Sequence, residues 1–318
     1  MRYFKKKQEE DYPTIFTQWL NQNEAVINEW IASTRKGSTI WAEFGKTFGI
    51  TTLTEISDIE VRNKLLDALY DEQNGLCCYC ADKIERNWDE ENQCWKYSNY
   101  AIEHFLPKNR RKDLIFNYNN LMLTCKESSK VKKVEIGKRY KGKLINSIAD
   151  LAEITDISET NILEHNTGIG EAVNVGDEIK IPIPPHCDDS KSVFDGNTTI
   201  KNIINPCLNA HIPIINRLQF SNEGDIDFDI INNADDLIIE NSIEVLNLNC
   251  SSLKDRRKNK WNNVERYFTE NMNYLLEDPV LLRKSIDKLI VQKALPDSNN
   301  ELEPFYFVEV AFYQKLIN

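Results

Sequence analysis

The reading of this chain turns on three stretches: Cys77-Cys78-Tyr79-Cys80, Ile102-Glu103-His104-Phe105-Leu106-Pro107 and Asn119-Asn120-Leu121-Met122-Leu123-Thr124-Cys125. A Cys-x-x-Cys pair comes first. An adjacent acid and imidazole follow, then an Asn-Leu and a third cysteine. The series then breaks. Lys126-Glu127-Ser128-Ser129 follows Cys125 with no cysteine at knuckle spacing, and the pattern resumes far downstream at Cys187-Asp188-Asp189-Ser190-Lys191.

In this order the pieces resemble the outline of an HNH, or ββα-metal, endonuclease. In that outline a second Cys-x-x-Cys knuckle closes the motif, and its last cysteine precedes an Asn. The resemblance implies that a small domain has been inserted inside the second knuckle. Cys77, Cys80, Cys125 and Cys187 are then the closed thiolate set of a structural zinc. Cys94 is the rival for the fourth position. Cys78 stands too close to Cys80 for the usual knuckle, and Cys207 and Cys250 read as core or incidental thiols.

Glu103 and His104 are neighbours on an expected strand, so their side chains leave opposite faces. An imidazole that titrates near neutrality suits general-base work. A carboxylate suits a hard cation such as Mg²⁺ or Mn²⁺. The resemblance implies that the cation offsets charge developing at a phosphate while His104 activates water. It makes Asn120 at once a turn-capping residue and the amide that holds the loop carrying His104. It also makes Asp188 the second ligand of the catalytic cation, where the family has Asn. Without an insertion, Ser129 would stand in that place. His186 adjoins Cys187 and could ligate either metal, but it reads as a flank; His165 and His211 read as structural.

Elsewhere the spacing predicts helix over 13–32, broken near Asn21-Gln22-Asn23, and over 55–73, stopped by Asn74-Gly75. Residues 138–184 change character. A helix start at Ser147-Ile148-Ala149-Asp150-Leu151-Ala152 leads to a second helix through Asn166. A turn at Val175-Gly176-Asp177 then enters a strand ending at Pro182. The segment resembles a LysM domain, a βααβ unit, although Lys141-Gly142-Lys143-Leu144 replaces the usual Gly-Asp-Thr opening. LysM modules bind N-acetylglucosamine glycans; a non-glycan role is expected here. Beyond 197 the chain reads as mostly helical, with a strand near Ile226–Ile230 and helices over 241–246, 261–276 and 279–294. The expected class is α+β. A ββα-metal core with zinc knuckles occupies 1–136 and 185–318, surrounded by helices, and the insert occupies 137–184.

Across its 318 residues the chain is 41% hydrophobic and 10% aromatic, which fits a globular protein with a sizeable core. It has no run of about eighteen apolar residues, so no membrane span is expected. The first residues lack an apolar stretch of the secretory kind, so a cytoplasmic setting is expected. Eight cysteines in such a setting point to metal more than to disulfides. The net charge of −11 argues against coating nucleic acid by bulk charge. Yet basic residues gather beside the motif, at Lys108, Arg110, Arg111 and Lys112, again over 126–143, and at Lys191. Lys108, Arg110, Arg111 and Lys191 are the expected phosphate contacts.

The flanks narrow the resemblance. The Met-Arg-Tyr start, Pro13, Gly75-Leu76-Cys77, Asn205-Pro206 and Leu246-Asn247-Leu248-Asn249 before Leu253 and Arg256 are similar to the PtuB-like HNH endonucleases of retron and Septu antiphage systems. This implies cleavage of DNA, or of tRNA, alongside a PtuA-like ATPase. In a retron it also implies a reverse transcriptase and its noncoding RNA. The competing expectation is a catalytically silent adaptor scaffolded by zinc, whose insert does the binding.

Overall fold

The computed structural model describes residues 1–7, 13–44, 58–126, 131–140, 143–155, 159–164, 166, 173–182, 186–195 and 202–317. Ser129 and His165 lie outside them. The fold is mixed: many helices with small antiparallel two-stranded sheets. No described helix is long and apolar enough to cross a membrane.

Helices α1 (Thr14–Gln22), α2 (Glu24–Ala32), α3 (Gly37–Glu43) and α4 (Asp58–Glu72) form the N-terminal part. The break expected near Asn23 is real: its side-chain amide donates to the Trp19 carbonyl at 2.7 Å and helps end α1. Helix α4 stops at Asn74 and Gly75, both with positive φ, and the Gly75 N–H closes on the Tyr70 carbonyl. This is a left-handed C-terminal cap, which glycine adopts without the usual steric cost. It delivers the chain directly into Cys77.

Hairpin β1 (Glu85–Asp89) and β2 (Cys94–Ser98) comes next. The central pair follows, β3 (Tyr100–His104) and β4 (Leu121–Cys125), with Glu103 opposite Met122 and His104 opposite Leu121. Alternation divides this pair between two cores. Ile102, Leu121 and Leu123 pack with Phe16, Trp19, Ile40, Phe44 and Leu65. Met122, on the other face, packs with the cysteines and the C-terminal helices.

The insert is β5 (Val131–Glu135), β6 (Arg139–Tyr140), β7 (Lys143–Leu144), α5 (Ile148–Thr155), α6 (Glu159–Glu164) and β8 (Glu178–Pro182). Strand β5 pairs antiparallel with β8, placing Val131 opposite Pro182. The βααβ unit therefore begins before the boundary expected at 137, because its closing strand needs a partner. Its core, from Val134 through Ile148, Leu151 and Ile162 to Ile181, is separate from the other two. Asn166 caps α6 and clamps β8, donating to the carbonyls of Ile162 and Lys180 and accepting from the Lys180 N–H.

Paired ends and an independent core make the insert removable. Replacing the segment from about 128 to 184 with a short Gly-Ser linker is expected to leave a folded protein. Cys125 and His186, on either side of the deletion, are in contact at 3.4 Å, so a short linker spans the gap. Circular dichroism and metal content of the deletion check this. An insoluble, metal-free product would contradict it.

After the insert come α7 (Asp188–Asp195), α8 (Ile212–Ile215), β9 (Leu218–Phe220), β10 (Ile226–Phe228), α9 (Ala234–Val245), α10 (Ser251–Asn271), α11 (Pro279–Lys293) and α12 (Tyr306–Ile317). Helix α9 starts well before the expected 241, because the Asn233 side chain accepts the N–H groups of Asp235 and Asp236 and caps it there. Helix α10 likewise starts at Ser251, before the expected 261.

Candidate metal centre and acid-base site

Cys77, Cys80, Cys125 and Cys187 converge across the insertion. Their sulfurs all lie within 4.8 Å of one another, and all four residues are buried. Cys77 and Cys187 Sγ are 3.8 Å apart, and Cys80 and Cys125 Sγ are 3.6 Å apart. A disulfide would need about 2.05 Å. A tetrahedron of sulfurs bonded to one ion at about 2.3 Å has edges of about 3.8 Å. The four can therefore hold a metal ion. Cys94 sits on the β1–β2 hairpin and is not among the four. Cys78 is buried beside them but outside the set. Cys207 instead donates to the Met122 sulfur.

Local backbone aims each thiol. The first knuckle turns through Ala81 at positive φ, whose N–H bonds the Cys77 carbonyl. In the second, Cys187 itself has positive φ, and its N–H bonds the Leu246 carbonyl at 2.8 Å. That carbonyl belongs to the Leu246-Asn247-Leu248-Asn249 turn. Arg257, fully buried, holds the same turn through the Leu248 carbonyl and Asn249 Oδ1. Burial pushes the Cys80 and Cys187 thiols up, so a bare cluster resists full ionisation. His186, beside Cys187 in the chain, is buried, and its Nε2 lies 3.4 Å from Cys125 Sγ.

Both knuckles also reach Glu103. Tyr79, between Cys78 and Cys80, donates its hydroxyl to Glu103 Oε1 at 2.9 Å. Asp188, next to Cys187, shares a hydrogen bond with Glu103. The Lys191 ammonium, one turn along α7, forms a close ion pair with Glu103 Oε1. It also donates to the carbonyls of His104 (3.1 Å) and Phe105 (2.9 Å). Burial alone would raise the Glu103 carboxyl, but Lys191 and the bonds from Asp188 and Tyr79 outweigh it and hold it low. Asp188 is pushed up to about 9, first by burial and then by the Glu103 charge.

Lys191 was expected to meet a phosphate backbone. It is instead only 5% exposed, with its charge turned inward, because Glu103 would otherwise be a buried unpaired anion. The other expected phosphate contacts lie nearer the surface. Arg110 and Arg111 are exposed and Lys108 is half-buried. Arg111 is held by Asp113 in a two-pronged pair. In the insert, Lys133 and Lys143 pair with Glu178 and Glu153.

His104 faces away from Glu103, towards the N-terminal core, as strand alternation requires. It is 2% exposed, and the Trp41 ring stands edge-on to it with centroids 4.5 Å apart. Its Nε2 lies 3.0 Å from the Ile115 carbonyl and must donate there; buried Nδ1 has no hydrogen-bond partner among the described residues. That tautomer leaves a basic lone pair on Nδ1. Burial first, and then the Lys108 charge, lower the His104 pKa to about 4. Asn120 staples the loop that follows: its Oδ1 accepts the Leu106 N–H, and its Nδ2 donates to the carbonyls of Leu106 and Leu114. His211 accepts the Asn205 N–H at Nδ1, a structural role.

A pH effect follows. The folded protein resists protonating His104 while the unfolded chain does so near its ordinary pKa of about 6.5. The linked stability is fully present above about 6.5 and is lost as pH falls towards 4. A His104→Asn variant is expected to lose less stability than wild type between pH 7 and pH 5 in urea titrations. Parallel losses would contradict the assignment.

Sequence reasoning missed Tyr79 and Arg257. Tyr79 alone carried a signal, a phenol inside the Cys-x-x-Cys knuckle. No protein-family model matches the chain, and no curated protein matches it.

Proposed function

We propose that the protein is a zinc-scaffolded phosphodiesterase of the HNH type, cutting DNA ahead of RNA. The observation that carries the reading is His104: neutral, oriented by the Ile115 carbonyl, with an Nδ1 lone pair that no described residue uses. An antiparallel pair followed by a helix, β3, β4 and α7, supports a ββα core whose last two elements are separated by the insert. Zinc is the ion the four cysteines suit best, since closed all-thiolate tetrahedra are its structural sites.

In this reading His104 Nδ1 takes a proton from water, the water oxygen bonds to phosphorus, and the bond to the leaving oxygen breaks. Glu103 and Asp188 would hold a hard divalent cation. Such an ion supplies charge stabilisation at the phosphate. Asn120 positions the His104 loop. Lys108, Arg110 and Arg111 meet the backbone. Resemblance to the PtuB-like endonucleases makes an ATPase subunit the working partner and phage defence the setting. Zinc-loaded protein incubated with supercoiled plasmid and Mn²⁺ tests the reading. Nicking that EDTA stops is expected. No cleavage of plasmid, linear DNA or tRNA, with the fold intact, would leave the adaptor reading, which the burial of His104 favours.

A further inference from the structure

Three oxygen groups converge where Lys191 ends, and a fourth stands beside them. Glu103 Oε1 and the carbonyls of His104 and Phe105 all accept from its ammonium, and Asp188 is hydrogen-bonded to the same carboxylate. Carboxylate and carbonyl oxygens are the donors a hard cation takes. An ammonium has three donors and no acceptor, and here each has an acceptor. Its side chain is 6% exposed. The lysine therefore occupies a cage of hard donors at the position assigned above to the metal.

We propose that Lys191 is a tethered cation that competes with a divalent ion for the Glu103/Asp188 cage, so that metal loading requires its displacement. The inference rests on the nuclease reading for the use of the site, but not for the competition itself. Two properties make displacement feasible. The four-carbon stem is flexible and ends in a compact point charge. A divalent ion also brings twice the charge to two carboxylates. The Phe105 ring, 5.7 Å from Nζ, flanks the ammonium. Lys191 thus balances the Glu103 charge in the empty cage, and it raises the cation concentration the site needs.

Binding separates this from other roles. Full-length zinc-loaded protein is titrated with Mn²⁺, and the free ion is followed by electron paramagnetic resonance. K191M, similar in length and uncharged, is expected to bind Mn²⁺ about 10- to 100-fold tighter than wild type, the range over which groups around a site move metal affinity. K191R, which keeps the charge, is expected to resemble wild type, and E103Q/K191M to lose the gain. K191M binding no tighter than wild type overturns the proposal. Should K191M fold poorly, wild type alone decides. Lysine acylation read by mass spectrometry is expected to label Lys191 only at saturating Mn²⁺, and protection that persists there overturns the proposal. Tighter Mn²⁺ binding without cleavage in any variant leaves the competition standing and removes the nuclease reading. Cleavage that depends on His104 with equal Mn²⁺ affinities does the reverse.

Discussion

Changing Cys125 to Ser is expected to leave no folded protein. Cys125 closes β4, and its sulfur meets Cys80 Sγ and His186 Nε2. The same cluster fixes both knuckles, and through Tyr79 and Asp188 it fixes the surroundings of Glu103. Structural zinc contributes on the order of 10–16 kcal/mol to folding in small zinc domains, whereas whole domains are stable by about 5–15 kcal/mol. Losing most of the first term exceeds what the second can absorb. The check is soluble yield and thermal melting beside wild type and Cys94→Ser. Cys94 is outside the cluster, so its variant should behave as wild type. A Cys125→Ser protein that melts normally would mean the cluster holds no structural metal.

The other large effect is on chemistry. His104→Ala should lose roughly 10²–10⁴-fold in cleavage rate, the usual contribution of a positioned general base. It should keep its zinc, since no sulfur is touched. The truncation leaves a void beside Trp41 and Ile115, with a stability loss of about 1–3 kcal/mol, so zinc content and melting must accompany the rate. Unchanged cleavage in a folded His104→Ala protein would put the reacting groups elsewhere.

The cysteine pattern was legible because knuckle spacing is local, and Cys187-Asp188 repeats a motif ending that only a long insertion could have displaced. The two helices of the insert and its closing strand were legible from turn residues and periodicity. Its opening strand was not, since Val131 to Glu135 carries three charges in five residues and becomes a strand only by pairing with β8. The inward turn of Lys191 was also hidden. A lysine beside a basic cluster reads as surface, and only the tertiary approach of α7 to β3 supplies the carboxylate and carbonyls that bury it. Arg257 was hidden for the same reason: its partners, the carbonyls of Gly224 and Leu248 and Asn249 Oδ1, meet it only through tertiary packing.

The central claim is that a metal knuckle is closed across an inserted domain. Native mass spectrometry of the purified full-length chain and of Cys187→Ser tests it most directly. The account predicts one zinc per wild-type chain and none in Cys187→Ser. A wild-type chain without zinc, or a Cys187→Ser chain that retains it, would contradict the account.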